Sequence, residues 1–288
     1  MDKTTTSQLL IDLHMHSTAS DGVFSPSEVV HTAITCGLHV IALTDHDTTN
    51  GVMAAQTAAS QTPLQVIPGI EMGCEDALRT IDILGYFIDT ENEDFQHQLT
   101  DIRTYRERRA ELIVEKLARL GVNISLERVY AISEGAAITR PHIARVMVEK
   151  GIVPDSQTAF NHYLANDAPA YVPRFRLTIP EAIAMIHQAG GAAVLAHPGR
   201  YASPTKIIGE AIAAGVDGLE VYYPDHAPEF RQQLLKTITE NGLIATGGSD
   251  FHHPENGTIR MGVEATNMPA DTLIKLRERA TRYQSTGF

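Results

Sequence analysis

At 288 residues with a net charge of −12 and only two cysteines, the chain has room for a barrel-sized domain plus an insertion, and too little sulfur for a disulfide framework. No run of about 18 apolar residues occurs and Met1 to Leu10 lacks a charged-then-apolar leader pattern, so a cytoplasmic protein that does not span a membrane is expected. The acidic balance argues against broad binding of duplex DNA.

The first predicted element is a short apolar strand over Leu9–Leu13, running into His14-Met15-His16. Side chains two apart on an extended segment point the same way, so both imidazoles can reach one ion. Asp21 follows in the turn-forming stretch Ser20-Asp21-Gly22, as a further ligand or simply a turn-former. A helix is expected from Ser27 to Cys36, after Pro26, and a second strand over Val40–Leu43 ends in Thr44-Asp45-His46-Asp47. His46 is the ligand candidate there, while Asp45 and Asp47 divide between supporting the site and capping a helix over 52–60. A third run, Leu64–Ile67, leads to Pro68-Gly69-Ile70-Glu71, where Glu71 can bridge two cations with its two oxygens.

Residues 91–176 interrupt the alternation with helical patterns over 94–120, 125–133 and 141–150, before the stretch Asp167–Arg176 rejoins it. Alternation then resumes: helix 178–189, the small apolar strand Ala192–Ala196 before His197-Pro198-Gly199-Arg200, and helix 206–214. A strand over Gly218–Val221 leads to Tyr222-Tyr223-Pro224-Asp225-His226, followed by helix 227–240. Last comes the run Leu243–Thr246 before Gly248-Ser249-Asp250-Phe251-His252. Strand and helix in alternation predict a parallel sheet covered on both faces, with 8–100 and 171–288 forming the barrel and 101–170 an all-helical insertion.

Imidazoles and carboxylates without thiolates are the ligand set of a hydrolytic metal cluster, and every such segment falls after an apolar run. Charge divides the chain as well: residues 101–176 hold 12 Lys or Arg against 9 Asp or Glu, the remainder 11 against 26. The insertion is therefore a candidate phosphate grip. Arg140 and His142, flanking Pro141 at an expected helix start, are its best candidates, with helix capping as their alternative role and Arg200 a third candidate. Arg103, Arg106, Arg108 and Arg109 read equally well as the solvated face of a long helix. His226 is a candidate pocket residue or a helix cap. His31, His39, His97, His162 and His187 read as surface or core histidines, and Cys74 as a small buried side chain.

The ordered set from His14-Met15-His16 through Asp250-Phe251-His252 resembles the polymerase-and-histidinol-phosphatase (PHP) family of metal-dependent phosphoesterases. Thr139-Arg140-Pro141-His142 and Leu195-Ala196-His197-Pro198-Gly199-Arg200 are most similar to its 3′,5′-nucleoside bisphosphate phosphatase and RNase AM group. The resemblance implies a distorted seven-stranded β/α barrel of the α/β class, with two or three divalent ions, manganese foremost and zinc, iron(II) or magnesium the others. Carried over by motif, one ion takes His14, His16, Glu71 and Asp250, a second takes Asp21, His46 and His252, and a third shares Glu71 and takes His197. Asp82 stands where the family commonly supplies an imidazole to that third ion.

The activity so implied is removal of the 3′-phosphate from nucleoside 3′,5′-bisphosphates, with 5′-to-3′ trimming of short RNA. The cations would activate water, Arg140 or Arg200 would meet the phosphoryl charge, Asp47, His142 and His226 would touch substrate, and His197, His252 or Asp47 would assist the leaving oxygen. Two alternatives stand beside it: a phosphatase for another small ester such as histidinol phosphate, and a non-catalytic, metal-stabilised binding module.

Overall fold

The computed structural model describes residues 9–285 except 77–78, 134–137, 173–176, 256, 263–267 and 270. The start of the first predicted boundary, residue 8, and the end of the rejoining stretch, 173–176, therefore lie outside the described residues. Two compact units result, one made of the chain up to Phe95 together with Leu177 onward, the other of Gln96–Arg176.

The first unit is built on seven strands in sequential order: β1 (Ile11–Asp12), β2 (Val40–Leu43), β3 (Gln65–Asp76), β4 (Arg79–Tyr86), β5 (Ala192–Leu195), β6 (Gly218–Tyr222) and β7 (Ile244–Gly247). The amide of Leu13 donates to the carbonyl of Gly247 at 3.2 Å and Met15 pairs in parallel with Phe251, which draws the first and last strands together into the expected barrel. The sheet is not wholly parallel. β4 runs antiparallel to both neighbours, Gly69 facing Tyr86 and Tyr86 facing Ala192, because no crossover helix separates β3 from β4 and a direct return reverses the chain. Pro68 likewise does not end β3. It sits opposite Leu43, the last residue of β2, and from Gly69 onward the strand finds its partner in β4, so Glu71 lies mid-strand rather than at a strand end.

Helices α1 (Pro26–Thr35), α2 (Val52–Ala59), α7 (Ile179–Gln188), α8 (Pro204–Ala213), α9 (Pro228–Asn241) and α10 (Thr272–Ser285) surround this sheet. The start of α1 is specified locally: Ser25 and Glu28 form a capping box and Pro26 occupies the first turn, where its missing N–H costs nothing. Thr178 and Glu181 do the same for α7. Apolar periodicity seats α1 and α2 through Val29, Val30, Ala33, Ala55 and Ala59 against Met15, Ile41, Leu43 and Val66. A second cluster joins Ile11, Leu13, Ala42, Tyr86 and Val194 to Leu276 and Ala280 of α10, a helix the sequence reading did not name. Removing one such side chain, as in Leu43→Ala, costs about 2–5 kcal/mol.

The second unit is helical among its described residues: most of α3 (Glu93–Arg119), then α4 (Leu126–Ser133), α5 (Arg140–Glu149) and α6 (Ser156–Ala159), which continues as a π turn over Phe160–Leu164. It has its own core, including Ile113, Leu117, Val129, Ile143, Met147 and Leu164. Arg109 departs from the solvated-face expectation. It is buried and its Nε donates to the carbonyl of Val172 at 2.8 Å. Arg108 does lie on that face, paired with Glu111, while the side chain of Arg106 is outside the described set.

Candidate metal centre

Alternation along two extended segments builds the centre. His14 and His16 point inward while Met15 between them is buried against α1 and α2, and Asp250 and His252 do the same around Phe251. Met15 and Phe251 pair across the seam, so the two x-His segments face each other. The approach is close enough that a Cβ on Gly248 would come within 2.3 Å of the His14 Cβ, so only glycine fits at position 248.

Three groups of side chains bring ligand atoms within 4.8 Å of one another: His14, His16, Glu71 and Asp250; His16, Asp21, His46 and His252; and His46, Glu71 and Asp82. Glu71 Oε2 lies 3.3 Å from His14 Nε2, 3.1 Å from His16 Nε2 and 3.1 Å from His46 Nδ1. Its other oxygen is 3.1 Å from His197 Nε2, which is in turn 3.9 Å from Asp82 Oδ2. Asp250 Oδ1 approaches the two N-terminal imidazoles at 3.3 and 3.4 Å. His252 Nε2 is 3.3 Å from Asp21 Oδ1. All nine predicted ligand residues thus lie in one neighbourhood.

The electrostatics are those of a place that attracts cations. Burial alone would pull the His16 imidazole down, but the facing carboxylates of Asp250 and Glu71 push it up to about 10. Burial is likewise overcome at His14, raised well above the ordinary value by Glu220, Asp250 and Glu71. Glu71 is held well below the carboxylate range despite burial, chiefly by His46 and His14. Asp82 goes the other way, to about 7, because burial and the negative charge of Glu71 outweigh His197. His46 falls to about 4, mostly through burial.

A divalent ion suits this donor set on a simple observation. Among the described residues, His14 Nε2, both nitrogens of His16, Glu71 Oε2 and His197 Nδ1 are buried without a hydrogen-bond partner. Leaving so many lone pairs unsatisfied costs about 1–3 kcal/mol each, and a cation held between them satisfies several at once. The backbone carries strain at the same place: Asp47, His197 and Asp250 all have positive φ, the left-handed region that residues other than glycine rarely adopt.

Behind the candidate ligands stands a set of carboxylates, one of which the sequence pattern did not single out. Glu220, fully buried on β6, is 3.0 Å from His14 Nδ1 through one oxygen and accepts the His197 amide at 2.7 Å through the other. A lone acid inside the apolar run Gly218–Tyr222 was its only signal. Asp45 caps no helix: it accepts from the Ser17 amide and the Ser17 and Ser20 hydroxyls, each at 2.7 Å, and so shapes the loop carrying Asp21. Gly51, without a side chain to offer, occupies the N-cap of α2. Asp47 Oδ1 accepts from the Gly73 amide at 3.1 Å and its own amide donates to the Glu71 carbonyl, tying it to that mid-strand residue.

The predicted substrate residues are distributed differently. Arg200 is half exposed, with NH1 3.2 Å from Asp250 Oδ2 and 3.1 Å from the Tyr223 hydroxyl, which itself donates to Asp250 Oδ2 at 2.9 Å. His226 has both ring nitrogens turned to backbone groups. In the helical unit, Arg140 opens α5, donates to Leu164 O and Asn166 Oδ1, and lies between the rings of Phe160 and Tyr171. His142 caps the same helix, its Nδ1 accepting from the Thr139 amide at 3.1 Å.

The PHP domain matches residues 12–151 of this chain. A 5′-3′ exoribonuclease of Haemophilus influenzae is 38% identical over 255 residues, covering 87% of this chain and 92% of the relative. A 3′,5′-nucleoside bisphosphate phosphatase of Chromobacterium violaceum is 34% identical over 264 residues, covering 88% and 90%. Among solved structures, an amidohydrolase from Chromobacterium violaceum with bound sulfate superposes with a TM-score of 0.76 at 32% identity, over 94% of this chain and 96% of that one.

Proposed function

The chain belongs to the PHP-domain family of metal-dependent phosphoesterases, and from that premise we propose that it hydrolyses nucleoside 3′,5′-bisphosphates in the cytoplasm, releasing the 3′-phosphate and leaving a 5′-mononucleotide. Removal of nucleotides from the 5′ end of short RNA is proposed as a second use of the same centre. The observation that carries the reading is the meeting of His14, His16, Glu71 and Asp250 within one ligand-sized space. Manganese is the cation we assign.

Bound divalent cations supply a Lewis acid for the phosphoryl oxygens and lower the pKa of water from about 15.7 toward about 7. His14, His16, Glu71 and Asp250 would hold one, Asp21, His46 and His252 a second, with Glu71 shared. Glu71, His197 and Asp82 would hold a third, Asp82 bringing an oxygen donor in place of an imidazole. The chain's own contributions follow from its geometry. Arg200, beside Asp250 and partly exposed, would bind a phosphoryl oxygen and offset its growing charge. Glu220 keeps His14 and His197 in register by bonding to both. Water adds at phosphorus as the P–O3′ bond breaks, and the proton that water loses ends on the departing 3′-oxygen, relayed by His197, His252 or Asp47. Arg140 and His142, at the start of α5, are our proposed substrate-phosphate residues of the helical unit.

Turnover of adenosine 3′,5′-bisphosphate with manganese, set against histidinol phosphate, tests the reading. Release of inorganic phosphate and adenosine 5′-monophosphate supports it, and its persistence after complete chelation would refute it. Preference for histidinol phosphate would favour the small-ester alternative.

A further inference from the structure

His226 is buried in the loop that follows β6, and its ring joins two separate stretches of backbone. Nδ1 lies 3.0 Å from the carbonyl oxygen of Val221, and Nε2 lies 3.0 Å from the amide nitrogen of Gly199. A carbonyl can only accept and an amide N–H can only donate, so Nδ1 carries the proton and Nε2 is bare. The neutral form suits its surroundings, since burial lowers this imidazole's pKa. The ring has little freedom to move: Tyr223 and Phe230 each stand 5.2 Å away, centroid to centroid. On the remaining side, a Cβ on Gly199 would come within 2.6 Å of His226 Cδ2 and 3.1 Å of Phe230.

Gly199 belongs to the short turn Pro198–Arg200, immediately after His197. His197 adopts φ +26 and ψ +56, a conformation that must be held from both directions to persist. Upstream, its amide is bound by Glu220 at 2.7 Å. Downstream, the backbone of the turn is held through the hydrogen bond that Gly199 gives to His226. The same turn aims the His197 ring at Glu71 and the Arg200 guanidinium at Asp250.

We propose that His226 is a positioning residue: by accepting the Gly199 N–H it clamps the His197–Arg200 turn, setting the affinity of the cation held through His197 and Glu71. Its consequence for turnover rests on the phosphoesterase reading, whereas its consequence for cation binding does not. A residue of this kind acts behind the ligands, where partners that orient a metal-binding imidazole change affinity 10- to 100-fold.

The experiment compares the full-length wild type with His226→Leu, His226→Gln and Gly199→Ala. Glutamine keeps an acceptor for the Gly199 N–H, leucine has none, and alanine at 199 displaces the ring while leaving residue 226 intact. Metal-free proteins are titrated calorimetrically with manganese chloride alone, and kcat and KM are measured for adenosine 3′,5′-bisphosphate. His226→Leu and Gly199→Ala should each weaken one class of manganese site about 10- to 100-fold, spare the others and lower kcat, while His226→Gln should recover most of both. A wild-type manganese isotherm in His226→Leu with only KM raised would overturn the proposal and make His226 a substrate contact. Should the leucine variant fail to fold by circular dichroism, wild-type isotherms in both His226→Gln and Gly199→Ala would overturn it equally. A wild type that binds manganese yet releases no phosphate refutes the proposed activity alone, and the isotherms still decide the role of His226.

Discussion

Two buried acids in the barrel unit show how differently one residue type can be used. Asp217, immediately before β6, is saturated with donors: the Ala193 amide and His187 Nε2 at 2.9 Å on one oxygen, Arg279 NH1 at 2.9 Å and the Tyr283 hydroxyl at 2.8 Å on the other. Glu71 is just as buried, but its Oε2 faces three imidazole nitrogens and has no hydrogen-bond partner among the described residues. Asp217 ties α7 and α10 to the sheet and has nothing left to offer a ligand. Glu71 is left poised, and its surroundings gain most when a cation arrives. Burial alone therefore says little about an acid's role, and the inventory of its partners says a good deal.

The sharpest way to break this contrast is to remove each charge in turn. Glu71→Gln should lower kcat by at least about 1,000-fold, on the order of 4 kcal/mol of transition-state stabilisation, while the metal-free protein melts no lower than wild type. Phosphate-release assays and thermal melts check both halves, and a large loss of stability in that variant would erase the distinction.

Asp217→Ala should do the opposite. It strands Arg279 and His187, costing about 3 kcal/mol in denaturant unfolding while kcat holds near wild type. Its pH signature has a definite sign. Burial would raise the Asp217 pKa, but His187, the Ala193 amide and Tyr283 hold it below the ordinary value. A depressed folded pKa stabilises the fold above about pH 3.9, the unfolded value, and that contribution fades as pH falls through the folded pKa. Asp217→Asn should flatten the acid limb of a stability-against-pH curve.

Ligation provides the third comparison. Manganese at about 100 times its Kd should stabilise wild type and Asp217→Asn by about 2.7 kcal/mol, and Glu71→Gln by much less, as thermal shifts would record. Smallest is Arg200→Gln, expected to raise KM about tenfold with little change in manganese affinity, because a partly exposed cation beside the ligands acts on substrate more than on the ions.

Local chemistry made much of this molecule legible in advance. His14-Met15-His16 and Asp250-Phe251-His252 announce themselves because a period of two puts both polar side chains on one face whatever the rest of the chain does. The capped helix starts at Pro26 and Ile179 are short-range as well, since a cap needs only three or four neighbouring residues. The direction of β4 and the continuation of β3 past Pro68 are different in kind. They depend on which strand lies alongside, and a pairing such as Glu71 with Leu84 leaves no trace in either segment alone.

The supporting acids divide the same way. Asp12, Asp45 and Asp217 look alike in sequence, yet Asp45 binds Ser17 and Ser20 more than twenty positions earlier and Asp12 accepts from the amides of Ser249 and Gly262 across nearly the whole chain. Glu220 joins His14 to His197, and His226 grips a turn reached by another strand. Residue types and their spacing by themselves determined that this chain carries the imidazoles and carboxylates of a candidate metal centre, because ligand chemistry belongs to the side chain. Which acid holds a ligand in place, which one only secures the fold and which histidine steers another were decided by the closed sheet, because hydrogen-bond partnership is a property of distance in space.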